Sequence, residues 1–151
     1  MVSAPEHQDT LVRQQVYEVT SAVGTPPAIA DLALATHLPE AKVRDSLQRL
    51  SAGHVLVLQE QSGEILMAAP FSAVPTSFVV HTPRYRTFAN CIWDALGIPA
   101  MLQETAVIQT ACGCCGERLA ITVGPDGPEA VDGIIHFAVP AARWWEDIVF
   151  T

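Results

Sequence analysis

"PEAKVRDSLQRLSAGHVLVLQEQSGEILMAA", residues 39–69, changes its hydrophobic period halfway along. In the first half Val43, Leu47 and Leu50 recur at helical spacing and Gly53 stops the run. In the second half two short β-rich runs flank Ser62-Gly63, which reads as a hairpin turn. A helix running straight into a β-ribbon is the end of a winged helix-turn-helix, provided that two more helices precede it.

The preceding residues supply them. "LVRQQVYEVTSAVG" (11–24) sets Val12, Val16, Val19 and Val23 at spacings of four, three and four, one helical face closed by Gly24. "TPPAIADLALATHL" (25–38) offers Thr25 as N-cap and Pro26 as first helical residue. The third helix carries Lys42, Arg44 and Arg49 but also Glu40 and Asp45, so it lacks the clean positive face of a DNA-reading helix. The whole chain carries eight Lys plus Arg against sixteen Asp plus Glu, a formal charge of -8, which argues against phosphate-driven binding. This module is expected to pack against its neighbour and not to bind DNA.

Half of the residues are hydrophobic and 16% are charged, so the 151-residue chain can bury a sizeable core. "MVSAPEHQDT" has no basic or apolar leader region, and no apolar run approaches the ~20 residues that cross a bilayer. The expected location is the cytoplasm, away from membranes. In that reducing setting the four cysteines, Cys91, Cys112, Cys114 and Cys115, point to metal or catalytic roles before disulfides.

"APFSAVPTSFVVHTPRY" (69–85) reads as a proline-punctuated connector with one extended segment, Ser77 to Val80. A boundary near residues 70–80 divides a winged-helix-like module, 1–75, from a second unit, 76–151. That unit holds a short helix around Cys91, with Gly97 and Pro99 marking its end. Its remainder reads as β-rich through "AVIQT", "RLAITVG" and "GIIHFAV", with turns at 113–116 and 125–128. "AARWWEDIVFT" begins as a helical turn or runs as a last strand. The expected class is α+β, a three-helix module followed by a mainly antiparallel sheet with a cysteine-bearing helix.

Cys91 and Asp94, three positions apart on that helix, share a face and can act on one ligand. A cysteine acts as nucleophile or soft-metal ligand through its thiolate, which a helix N-terminus favours, with Asn90 or Thr87 as the cap. Burial in apolar surroundings pushes an aspartate towards its protonated form, so it can deliver a proton to something bound at the sulfur. The blander alternative is a buried structural cysteine beside an aspartate that only caps or pairs. Cys112-x-x-Cys115-Gly116 has the spacing of a metal knuckle between two strands. With Cys114 beside it, it offers sulfur to Hg(II), Cu(I) or Zn, although a closed zinc site needs four ligands. Its blander alternative is a tight glycine-rich hairpin with idle thiols. His136 falls in an apolar strand pattern and reads as a core residue.

In order along the chain, "PFSAVPTSF", "RYRTFANCIWDALGIPAML", "ACGCCGERLAITV" and "HFAVPAARWWEDIVFT" resemble the organomercurial (alkylmercury) lyase family. The resemblance runs from about Ala69 to the end, and its most specific element is Cys-x-x-Asp followed by Leu-Gly-x-Pro-Ala. It implies protonolytic cleavage of carbon–mercury bonds, giving a hydrocarbon and Hg(II). Cys91 would capture the mercury and Asp94 relay the proton. It implies no organic cofactor; the partners are a small organometallic substrate and the cellular thiols that remove the ion. It also implies a second cysteine beyond a segment like "WWEDIVFT", whereas the last cysteine here is Cys115. That thiol is expected either past Thr151, or lost or relocated in this member. Two alternatives stand beside the enzyme: a non-catalytic thiophilic-metal binder of the same fold, and a metal-sensing winged-helix regulator.

Overall fold

The computed structural model describes residues 4–129 and 133–149. Helix α1 spans Ala4–Val23, starting well before the periodic pattern does. It buries Val12, Val16 and Thr20, while Val23 is 57% exposed, so the four-valine face expected from the sequence is corrected. Steps of four shift the buried stripe round the helix, and Thr20 fits it because its hydroxyl donates to the Val16 carbonyl at 2.6 Å. Gly24, at φ +80, ends the helix.

Helix α2 covers Ile29–Thr36, with Ala28 and not Thr25 at its N-cap. The second proline is the reason: Pro27 keeps Pro26 out of the helical region, so the turn begins only beyond both. The Ile29 N–H then donates to Glu64 Oε2 at 2.9 Å, a carboxylate placed at the helix N-terminus by the hairpin that follows α3. Helix α3, Glu40–Ala52, buries Val43, Leu47 and Leu50 and stops at Gly53, as the period predicts. Arg49 grips Asp9 of α1 through two nitrogens at 2.7–3.2 Å.

Strands β1, Val57–Leu58, and β2, Ile65–Ala68, form the antiparallel ribbon, with Gly63 at φ +71 in its turn. The sheet continues past the ribbon. Strands β3 (Phe71–Ser72), β4 (Val79–His81), β5 (Arg86–Ala89), β6 (Ala106–Ala111), β7 (Arg118–Gly124) and β8 (Gly127–Pro128) extend it. The result is an eight-stranded antiparallel sheet ordered β1-β2-β3-β5-β4-β6-β7-β8. The α+β class expected from the sequence is the class observed.

Two apolar clusters adjoin this one sheet and change over between Ala68 and Phe71. One is built from α1–α3 and the ribbon, around Val12, Val16, Ile29, Leu32 and Leu47. The other joins Phe71, Val80, Ala89, Ile108 and Val123 to Ala95 and Ile98 of helix α4, Ile92–Leu102. Helix α4 runs through Gly97 and Pro99 instead of ending there. Pro99 is buried, so packing of that face holds the helix although the proline withholds one backbone N–H.

Two expectations near the end of the chain are corrected. Residues 133–139, "GIIHFAV", form no strand, because β8 already occupies the outer edge of β7; Ile134 is 96% exposed. His136 is accordingly exposed and not a core residue. Ala141–Glu146 is a 3-10 helix, the first of the two options for that segment. Its Trp145 stacks on His54, with ring centroids 4.1 Å apart and planes 7° from parallel. No helix among the described residues is long and apolar enough to cross a membrane.

Candidate functional site

Cys91 is itself the N-cap of α4, a role the sequence reading gave to Asn90 or Thr87. Its backbone is extended, at φ -147 and ψ -178, and its Sγ accepts the N–H of Asp94 at 3.5 Å. This is the N-cap half of a capping box, with sulfur in place of a hydroxyl accepting the N–H three residues on. Strand β5 delivers Cys91 to that position, since Ala89 is the last strand residue and pairs with Phe71.

The thiol and the Asp94 carboxyl are near enough for each to shift the other's titration. Asn90 Nδ2 donates to Asp94 Oδ2 at 2.8 Å, while Asn90 Oδ1 is buried without a partner among the described residues. The amide fixes one carboxyl oxygen as an acceptor, so a proton on Asp94 is placed on Oδ1. Tyr17, one turn of α1 beyond Arg13, is near enough to feel the Asp94 charge; its hydroxyl donates to the Ala69 carbonyl at 3.2 Å. The Tyr17 ring thus comes within electrostatic range of Asp94, a relation between distant segments that local sequence patterns do not carry.

Burial pushes the Asp94 carboxyl above the ordinary carboxylate range, against the hydrogen bonds from Asn90 and Cys91. The direction is the one read from the apolar sequence around it. Burial likewise pushes the Cys91 thiol up; the Asp94 N–H pulls it down and the Asp94 charge adds to the rise. The helix N-terminus therefore does not prevail, and the expectation of a favoured thiolate is corrected for the free protein. A soft metal replaces the thiol proton outright, because coordination deprotonates the sulfur.

Cys112, Cys114 and Cys115 are placed together on the turn between β6 and β7, with Gly116 at φ +74. All four cysteines are free. Among the described residues no group of three or more His, Cys, Asp and Glu is arranged to hold a metal ion. A groove of about 980 Å³ runs between α4 and this turn, lined by Ile92, Leu96, Cys112, Cys114, Ile121 and His136 among others. It is not the Cys91–Asp94 site. At 100° per residue Asp94 falls on the far side of α4 from Ile92 and Leu96, and neither Cys91 nor Asp94 lines the groove.

Comparison with known proteins bears on this arrangement. A solved structure of the mercury-bound form of MerB2 superposes with a TM-score of 0.61 over 83% of this chain and 59% of its own, at 20% identity, a likeness of fold. An alkylmercury lyase of Staphylococcus epidermidis is 28% identical over 111 residues, 74% of this chain and 49% of that protein. The chain thus spans about half the length of the curated relative it matches. The family profile described as MerB, alkylmercury lyase, matches residues 71–151, a span that begins at β3 and includes the Cys91 helix. With that match over more than half of its residues, the chain belongs to the alkylmercury lyase family.

Proposed function

We propose that this chain cleaves carbon–mercury bonds by protonolysis, with Cys91 as the sulfur ligand and Asp94 as the proton donor. The observation that carries the reading is the facing of thiol and carboxyl at the N-terminus of α4, both half-buried. Family membership supports the reaction class.

An organomercurial arrives as R–Hg–SR′, carried by a small cellular thiol. Sulfur exchange forms the Cys91 Sγ–Hg bond and releases R′SH, which takes the Cys91 proton. Sulfur suits this capture because soft thiolates select soft metals. The Asp94 carboxyl then gives its proton to the carbon bound to mercury. The electron pair of the carbon–mercury bond forms the new C–H bond, and R–H departs. Hg(II) stays on Cys91 beside the new Asp94 carboxylate until small thiols remove it. No electron changes hands, so no redox or organic cofactor is required. A reducing compartment such as the cytoplasm suits the reading, since Cys91 must remain a free thiol.

The test is incubation with methylmercury or phenylmercury and excess thiol, following methane or benzene. Hydrocarbon release well above a Cys91→Ser control is expected. Release no faster than that control overturns the reading, and stoichiometric mercury uptake without hydrocarbon would instead make the chain a non-catalytic binder.

A further inference from the structure

We propose that the turn from Cys112 to Cys115 is a second sulfur site, independent of Cys91, that takes Hg(II) in two-coordinate form between Cys112 and Cys115. The turn between β6 and β7 is closed through the Cys112 backbone, which keeps Cys112 and Cys115 in one short loop. Cys112 and Cys115 sit at the two ends of this short turn, near enough for the Cys115 thiol and N–H to act on the Cys112 thiol. Gly116 N donates to the Cys112 carbonyl at 2.9 Å, and Cys112 N to the Glu117 carbonyl at 2.8 Å, which closes the loop. That closure needs the left-handed conformation of Gly116.

A plain hairpin needs none of this, since two residues suffice to join antiparallel strands. Nor does packing account for the thiols. Cysteine is among the most buried residue types, yet Cys114 and Cys115 are exposed and Cys112 only half-buried.

The ligand count selects the ion. A closed zinc site needs four donors, and among the described residues no third His, Cys, Asp or Glu completes a set here. Hg(II) is satisfied by two thiolates in a line, and softness favours it over hard hydrated cations. Cys112 opens onto a groove whose other walls include Leu119 and Ile121, while Cys115 lies exposed outside it, so a neutral bis-thiolate would have an apolar wall on its Cys112 side. Binding from a small-thiol complex is balanced: Hg(SR)₂ and the two cysteine thiols give the protein bis-thiolate and two RSH.

The experiment uses the full chain carrying Cys91→Ser, so that carbon–mercury cleavage plays no part and its failure is separately readable. Mercuric chloride is added with excess glutathione, and retained mercury is counted after desalting. One Hg(II) per chain is expected, kept when Cys114→Ser is added and lost when Cys112→Ser and Cys115→Ser are added together, with unchanged circular dichroism. Zinc chloride in parallel should leave no retained metal. No mercury on the Cys91→Ser chain, equal retention without Cys112 and Cys115, or loss on removing Cys114 alone would each overturn the proposal.

Discussion

Asp94 meets Cys91 twice: its N–H points at Sγ from 3.5 Å, and its carboxyl is near enough for thiol and carboxyl to shift each other's titration. One three-residue step therefore fixes the sulfur from below and sets an acid beside it. The cost of this arrangement falls on the charged carboxylate, which burial disfavours.

Asp94→Asn is accordingly expected to stabilise the fold at pH 8 and to do nothing at low pH. The folded pKa lies above the unfolded one, so the neutral carboxyl's contribution is complete below the unfolded value of 3.8. It is lost as pH rises through the folded value. Urea midpoints of the two proteins should coincide near pH 3 and separate by pH 8, with the variant higher. A variant less stable at pH 8 would show that the carboxylate is held by attraction. The same variant should release no hydrocarbon from phenylmercury at any pH.

Asn90→Ala tests the placement of that proton. It removes the 2.8 Å bond to Asp94 Oδ2 and also a buried acceptor without a partner, so the two stability effects offset. Unfolding should shift by less than about 1 kcal/mol, the scale of one net hydrogen bond. Hydrocarbon release should slow by roughly tenfold, as expected when an acid loses its orientation. Because the lost bond lowered the Asp94 pKa, the alkaline limb of the pH–rate profile should move up. An unchanged profile would mean that Asn90 only packs.

How far the sequence discloses these features depends on how local they are. The third helix, the ribbon turn at Ser62-Gly63 and the Cys91–Asp94 pair are written in steps of two to four residues; the first two are found as read, and the pair is brought together with Cys91 as the cap and not in the first turn. Features set by remote partners are not so written. Val23 faces solvent because Thr20 takes its place on the buried face. Residues 133–139 are apolar yet unpaired because β8 fills the sheet edge first. The nearness of Tyr17 to Asp94 joins positions 77 residues apart in sequence, beyond any periodicity.

DNA binding by the three-helix module should be absent at physiological salt. Lys42 pairs with Asp45, Arg44 with Glu40 and Arg49 with Asp9, so the three cations of α3 are each matched by a carboxylate. Counterion release needs cations free to meet phosphates. A gel shift with random duplexes should show no complex, and a specific, salt-sensitive complex would revive the regulator reading.

Gly24→Ala should be among the most damaging single-methyl changes in the protein. Gly24 sits at φ +80, and a Cβ there would lie 2.4 Å from Tyr85 Cδ2. The ring is held from giving way by its hydroxyl, which donates to the Ser21 carbonyl at 2.8 Å. Thr87 of β5 donates to the Gly24 carbonyl itself, so the end of α1 is tied to the strand that delivers Cys91. Left-handed strain costs about 1–3 kcal/mol in a non-glycine residue and overpacking a similar amount, which together are roughly 2–6 kcal/mol. Chemical denaturation should register that loss. Adding Tyr85→Ala removes the clash but not the strain, so the double variant should lose less than the sum of the two single changes. Strict additivity would show that the ring does not contact residue 24 in solution.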